Sequence, residues 1–277
     1  MPETLDPSRN WDEAAAGWTK WWPTFEQAAQ VVSNRLIEMA GIQSGGRVLD
    51  IATGIGEPAV SAARKVGPKG KVLAVDHSTG MLQAARHRAA QLGLTNIEFR
   101  QLDAESIALP EHDFNAILSR WGLMFLPDLT GALGRMRTLL ADGGRLAAAV
   151  WGTPDKVPMI SLAGETVRKI ANLPPPPPGS PDPCRLCDRV ALARSFKDAG
   201  FSDFVLEPMN ITYEFKSPEE FAQFRYDVAT PFRTMVDKLD SETRKRVMDA
   251  VLSEARRFVK DGGLRLDNET ICVSARK

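Results

Sequence analysis

Chemistry that depends on cysteine, histidine or tyrosine has little to work with in this chain: 277 residues carry three cysteines, three histidines and two tyrosines. Cys184, Cys187 and Cys272 are too few and too scattered for a disulfide framework. Cys184-x-x-Cys187 has metal-ligand spacing, but no second pair or nearby histidine completes four ligands, so reduced thiols and no metal are expected. An excess of one charge is also missing. Lys+Arg and Asp+Glu both number 35, with no basic tail or stripe, and phosphate binding needs clustered cations, so neither nucleic acid nor an anionic membrane is an expected partner. No apolar run approaches the roughly 20 residues of a membrane span, and the opening MPETLDPSRNWDEA is too polar for a signal peptide. A cytoplasmic protein is expected. Without a secretory signal, the glycosylation patterns at Asn210 and Asn268 carry no meaning.

What is present centres on Arg47 to Ala59, RVLDIATGIGEPA. Val48, Leu49 and Ile51 supply the short apolar run of a central parallel strand, with Asp50 near its carboxyl end. Gly54 and Gly56 let the backbone turn sharply and approach a ligand closely. Pro58 suits the first turn of a helix over about Pro58 to Lys65, whose N-terminus faces the turn. The glycines alone leave two cofactor classes open. GIGEPA satisfies G-x-G-x-x-A, and Asp76, closing the strand KVLAVD, sits where a dinucleotide fold places its ribose acceptor. Asp50 favours the other class: a carboxylate aimed into the crevice suits a cationic ligand better than a pyrophosphate.

The stretch Asp50-Ile51-Ala52-Thr53-Gly54-Ile55-Gly56 resembles the first motif of the class I S-adenosylmethionine-dependent methyltransferases, an acidic residue followed by G-x-G-x-G. Ala52 stands in place of the first glycine, and alanine disfavours positive φ. The resemblance continues through VDHSTGMLQAARHRA, QLDAESIALP and the end of the fourth strand, covering roughly Arg47 to Trp151, and is closest to the UbiE-like small-molecule group. It implies methyl transfer from S-adenosylmethionine to a small, mostly apolar acceptor, with S-adenosylhomocysteine released. A non-catalytic S-adenosylmethionine-binding protein and a nicotinamide-dependent oxidoreductase are the alternatives; no Tyr-x-x-x-Lys relay supports the latter.

Cofactor contacts are expected from Asp50, Ala52, Gly54 and Gly56, and from Asp76, whose carboxylate offers two acceptors to the ribose cis-diol. His77 is adjacent to the ribose, more wall than catalyst. By resemblance Met81 lies under the adenine, although a methionine early in a helix also fits a core position. Asp103 takes the adenine amino group by resemblance and the Ala104 N–H a ring nitrogen; the competing reading is a loop aspartate capping the turn at Ser106. Ser119 closes the fourth strand at the switch point of the sheet. Arg120 and Trp121 follow it as candidates to pair an anionic group and to stack on a ring; Arg120 could equally hold the Asp50 region. Trp18 and Trp22, four apart, are candidates to roof the ligand, against the alternative that they only anchor the first helix. His112 and Asp113 fall at the opposite sheet edge. Either a cap residue such as Tyr213, Tyr226 or Asp227 serves as general base, with Tyr226 the catalytic candidate, or the acceptor is already nucleophilic.

Past Trp151 a helix over Ser161 to Leu173 leads to the stiff run Pro174 to Pro178, then a helix Asp188 to Ala199, strands Phe204 to Phe215 and Leu264 to Arg276, and a helical insert, Ser217 to Lys260, between those strands. The expected fold is therefore a doubly wound α/β protein with a seven-stranded, mostly parallel sheet, the Rossmann-like methyltransferase architecture, bearing a helical cap. Residues 1–46 form an N-terminal helical segment over the active site, 47–153 the cofactor core, and 154–277 the connector, last two strands and cap (217–260). A small-molecule acceptor is the expected partner, and a homodimer is an admissible assembly.

Overall fold

The computed structural model describes residues 7–177 and 180–277, with side chains from Trp11 onward. The first residues of the N-terminal stretch weighed as a signal peptide, and Pro178 of the proline run, lie outside the described residues.

Five short strands build the parallel part of the sheet: β1 (Arg47–Ile51), β2 (Lys71–Asp76), β3 (Ile97–Gln101), β4 (Phe114–Arg120) and β5 (Leu140–Trp151). The strands β6 (Ser202–Phe215), β7 (Val259–Lys260) and β8 (Gly263–Arg276) complete it. The order is β3-β2-β1-β4-β5-β8-β6, with the two-residue β7 pairing β8 as an eighth, minor strand. Pairs among β1 to β5 are parallel, and β8 runs antiparallel to β5. The strand order reverses between β1 and β4, so the carboxyl ends of these two neighbours border the crevice where ligands of such sheets collect. β1 is central and buried on both faces, hence its near-continuous apolar run. The exception is Asp50, wholly buried and in register with Ala74 of β2 and Leu118 of β4.

Helices α2 (Ala59–Val66), α3 (Thr79–Gln91) and α4 (Leu129–Leu139) close the crossovers. Ser78 and Asp128 cap α3 and α4, accepting from the N–H of Met81 and of Gly131. These elements match the sequence reading to within a residue or two. β5 starts earlier than expected: Asp142-Gly143-Gly144, which reads as a helix end, lies inside the strand because pairing with β4 resumes across a register shift between Phe114 and Ala116.

The chain divides into two compact units. One comprises Gln30–Gly152, Pro181–Met209 and Thr270–Lys277 and holds the parallel sheet. The other, predominantly helical, comprises Met1–Ala29, Thr153–Ser180 and Asn210–Glu269. Unit boundaries fall between Ala29 and Gln30 and between Gly152 and Thr153, beside the divisions expected after residues 46 and 153. Residues 181–209 go with the sheet, because α6 (Arg189–Asp198) packs on α4 and buries Phe196 against Phe201 and Phe204.

α1 (Pro7–Met39) is a single 33-residue helix and contributes to both units. The helical apolar pattern is legible in the sequence from Phe25, and α1 also takes in the tryptophans before it and Pro23, which removes one backbone donor. Within the helical unit those rings supply the compensation. Trp18 meets Phe25 edge-on with centroids 4.9 Å apart, Phe25 lies 5.2 Å from Tyr213, and Trp21 meets Phe224 at 5.7 Å. Asp227 fixes the same face, accepting from Lys20 and from the Trp21 indole, both at 2.7 Å. Gly17 is required there: a Cβ would fall 2.2 Å from the Asp227 carbonyl oxygen.

The rest of the helical unit is α5 (Pro158–Ile170), α7 (Pro218–Val228), α8 (Thr230–Asp237) and α9 (Ser241–Arg256), with α9 packed on α5 and α7. Asn268, a glycosylation pattern in the sequence, is 1% exposed. Its Oδ1 accepts from Met159 N–H at the start of α5, and its Nδ2 donates to the Leu266 carbonyl at 2.7 Å. It is a structural pin.

Candidate functional site

The glycine turn lies at the carboxyl end of β1. Ala52, Gly54 and Gly56 have φ of 56°, 54° and 102°, so the loop needs three left-handed residues and one of them is alanine. Asp76, at the end of β2, ties the loop down: its Oδ2 accepts the Gly54 N–H at 2.8 Å and its Oδ1 the Ser78 N–H at 2.9 Å. Burial raises the Asp76 pKa, with those two N–H groups working against it. Each oxygen keeps a lone pair for a further donor.

Asp50 Oδ2 accepts the Ala59 N–H at 2.9 Å, capping the first turn of α2, while its Oδ1 has no partner. Burial, with the nearby Glu57 charge adding to it, pushes the Asp50 pKa up to about 8, against a weak approach of the Thr53 hydroxyl that falls short of a well-formed hydrogen bond, the Ala59 N–H and the positive charge of Arg120. Two more buried oxygens, Thr53 Oγ1 in the turn after β1 and Ser119 Oγ on β4, lack partners among the described residues. A cluster of unsatisfied acceptors and hydroxyls of this kind costs free energy unless a ligand supplies the missing bonds. Beside it Glu57 is buried against Arg88, 3.0 Å away on α3, which fastens the turn to that helix.

At the edge formed by β2 and β3, His77 is partly buried and its Nε2 has no partner. Met81 and Ala104 are buried. Asp103 is exposed, accepting the Glu105 N–H at 3.1 Å and the Ser106 hydroxyl at 2.8 Å. Partial burial acts upward on its pKa, but those hydrogen bonds outweigh it and hold the carboxyl below its usual range. The turn-capping geometry considered from sequence is thus present, and it leaves the carboxylate ionised.

The end of β4 is the most constrained part of the site. Arg120, buried, donates to Ser33 Oγ at 2.8 Å and lies over the Trp121 ring at 5.1 Å. Trp121 has φ of 57°, an unusual backbone for a bulky residue. Four contacts fix it: its N–H donates to the Ala149 carbonyl, its indole N–H to Thr270 Oγ1 at 3.0 Å, and its ring stacks on Trp151 at 4.3 Å and 4°, with Arg120 beside it. At least part of the surface expected to stack on a substrate is therefore occupied by Trp151. Gly122 comes next, where a Cβ would lie 2.6 Å from Ala52 Cβ and 2.8 Å from Ser119 Oγ.

Two candidates belong to the helical unit. The Trp18 indole N–H is buried without an acceptor. The Tyr226 hydroxyl donates to Asp237 at 2.8 Å on an exposed face, a bond that raises its pKa, the opposite direction from that of a base working near neutrality. His112 is exposed and Asp113 pairs with Arg47 at the start of β1, at the sheet edge away from the glycine turn. A cavity of about 230 Å³ at that edge is lined by Arg47 and Arg100, each paired with carboxylates. Among the described residues no cluster of His, Cys, Asp and Glu could hold a metal ion, and burial pushes the Cys272 thiol up to about 12. No helix of the described residues is long and apolar enough to cross a membrane. Sequence reasoning passed over Thr53, Glu57, Ser33, Trp151 and Thr270. Thr53 stands inside the glycine motif and was legible there; Ser33 and Thr270 reach the site from 87 and 149 residues away in sequence.

Residues 42–172 match the family described as the methyltransferase domain. Aklanonic acid methyltransferase DauC of Streptomyces sp. (strain C5) is 39% identical over 116 residues, 42% of this chain and 53% of that one. The ubiquinone/menaquinone biosynthesis C-methyltransferase UbiE of Pseudomonas putida is 39% identical over 119 residues, 43% and 46% respectively. The chain thus spans about half the length of these curated relatives. Among solved structures, phosphoethanolamine N-methyltransferase 2 of Haemonchus contortus, in complex with phosphomonomethylethanolamine and S-adenosylhomocysteine, superposes with TM-score 0.62 at 18% identity, covering all of this chain and 61% of that one. The [4+2]-cyclase SpnF gives 0.56 at 20% identity, covering 91% and 81%; likeness at such identities speaks for the fold alone. Residues 42–172, which hold the glycine turn and the acidic strand ends, are thus similar to a methyltransferase domain.

Proposed function

We propose that this protein transfers a methyl group from S-adenosylmethionine to a small, mostly apolar organic acceptor and releases S-adenosylhomocysteine. The observation that carries the proposal is the set of buried, unpartnered oxygens at the glycine turn, Asp50 Oδ1, Thr53 Oγ1 and Ser119 Oγ, beside an Asp76 already oriented by two backbone N–H groups. These residues fit an adenosyl amino acid: Asp50 would meet its cationic end, Asp76 would accept the ribose hydroxyls with His77 as a wall beside them, and Asp103, the Ala104 N–H and Met81 would take the adenine side. Bound there, S-adenosylmethionine would supply an electrophilic methyl carbon. An acceptor nucleophile would take that carbon, the carbon–sulfur electron pair would pass to sulfur, and any proton on the nucleophile would leave with the reaction. The chain's own part is to orient and to exclude water. Rigid residues do this: Arg120 on Ser33, and Trp121 on Trp151 and Thr270.

The relatives are named for aklanonic acid and for ubiquinone/menaquinone biosynthesis, which supports a small organic acceptor. Tyr226 is retained only as a candidate contact for it. Cytoplasmic location, and a homodimer where the chain self-associates, belong to the same proposal. Because a cyclase shares the fold, adenosylhomocysteine release is the measurement to make. Calorimetry with S-adenosylmethionine, S-adenosylhomocysteine and NADH, followed by adenosylhomocysteine release against a panel of small aromatic and quinonoid acids and phenols, tests it. Micromolar binding of both adenosyl ligands and none of NADH is expected; heat with NADH alone would replace methyl transfer by hydride transfer.

A further inference from the structure

Arg225, on α7, is used by nothing described so far. Phe221 lies one turn before it on the same face and Val228 one turn after, both buried, so the side chain leaves an apolar surface. The residue is 8% exposed. Nη2 donates to the Ile160 carbonyl on α5 at 3.3 Å, a long bond, and the buried Nε–H has no acceptor. Among the described residues no ion pair involves Arg225, whereas Arg35, Arg88, Arg100 and Arg145 each have a carboxylate. Burial alone pushes its pKa down to about 10, and no opposing charge acts on it.

An unpaired buried cation is among the costliest features a core can hold, and a protein gains nothing in stability by keeping it. The charge then points to an absent partner. Guanidinium is a planar fork suited to two oxygens at once, and one isolated cation balances one negative charge, which matches a carboxylate rather than a phosphate dianion. The neighbours Phe221, Val228 and Ile160 are apolar, so the rest of the partner is too.

We propose that Arg225 receives the carboxylate of a small, otherwise apolar organic acid bound within the helical unit. The proposal does not rest on methyl transfer. It is tested on the full chain with benzoate and its uncharged isostere benzamide, read by melting temperature and calorimetry. Benzoate raises the melting temperature of the wild type and benzamide does not. In Arg225→Met the benzoate affinity falls at least tenfold. Free of ligand, Arg225→Met melts about 2–4 °C above the wild type, because methionine fills a similar volume without burying charge. Arg225→Lys keeps the charge and loses the fork, so it retains a weaker response. Equal responses to benzoate and benzamide, or a benzoate response that survives intact in Arg225→Met, overturn the proposal. So does a ligand-free Arg225→Met that melts several degrees below the wild type, which would make the residue a cross-link to the Ile160 carbonyl. S-adenosylhomocysteine titrated into the same proteins keeps the two readings apart: its failure to bind the wild type sinks the adenosyl site and leaves the benzoate result standing.

Discussion

Ala52 carries a methyl group in a left-handed backbone, and Gly122 leaves out the one atom that would collide with it. Substituting both residues tests whether they are a matched pair. Gly122 has φ of −101°, which alanine adopts freely, so Gly122→Ala probes space and not backbone. The new Cβ would stand 2.6 Å from Ala52 Cβ and 2.8 Å from Ser119 Oγ, both inside any normal contact. Overpacking of this sort costs about 1–3 kcal/mol, less about 0.4–1 kcal/mol gained from a stiffer unfolded chain. Ala52→Gly relieves left-handed strain of about 1–2 kcal/mol and gives back about 0.5–1 kcal/mol in backbone entropy, so alone it is neutral to mildly stabilising. In the double variant the 2.6 Å clash is gone, and Ser119 Oγ can rotate away from the other. The coupling should therefore favour the double variant by about 1 kcal/mol or more. Guanidinium unfolding of the four proteins, with equal slopes, measures it. Costs that add to within about 0.5 kcal/mol would show that the two residues do not share that space, and would refute the pairing.

Asp50 sets a pH dependence. Its folded pKa of about 8 against 3.8 in its ordinary state means that the folded chain holds a proton which the unfolded chain has lost; its contribution is complete below about pH 4 and is lost as pH rises through about 8. Each unit of separation is about 1.4 kcal/mol, so Asp50→Asn, which keeps the Ala59 bond, should flatten the melting temperature between pH 5 and 8 and raise it by several degrees at the upper end; a variant with the wild-type slope would refute the assignment. Asn268→Leu should cost about 2–5 kcal/mol by leaving the Met159 N–H and the Leu266 carbonyl unpaired, seen as a lower denaturation midpoint; a loss under about 1 kcal/mol would mean that neither bond matters.

The sheet was readable because parallel strands buried on both faces must be apolar almost throughout, which leaves the acid at each carboxyl end conspicuous: Asp50 in β1 and Asp76 in β2. The glycine turn was readable for the same local reason. What failed were inferences in which a distant contact outweighs a local breaker. The helical pattern is legible from Phe25, yet α1 begins earlier and runs through Pro23, where Trp18, Trp21 and Phe25 hold that stretch against Tyr213, Phe224 and Asp227. Gly143 and Gly144 read as the close of a helix, yet β5 continues through them because β4 pairs on both sides of the shift. The division into units was hidden for a related reason. A unit assembled from three separated segments has no compositional boundary to find, and the insert at 217–260 is only its largest piece.

The strain in this fold also has a place. Of the five non-glycine residues with positive φ among the described residues, Asn172, Asp203 and Asp261 are of the kinds that tolerate it through local hydrogen bonding. The remaining two are Ala52 and Trp121, which do not, and they follow β1 and β4, the strands that flank the switch point. Their surroundings over-determine them: Ala52 sits between the anchored Thr53–Gly54 turn and the gap at Gly122, and Trp121 is fixed by Trp151, Thr270, Ala149 and Arg120. The unpartnered Asp50, Thr53 and Ser119 oxygens occupy the same strand ends. Strained backbone and unsatisfied polar atoms each lower stability. Buried unpartnered atoms also occur elsewhere, at Glu111, Arg135 and Arg137, but at this edge they stand beside strained non-glycine backbone, and that combination is what the proposed ligand site would cost a protein before the ligand arrives.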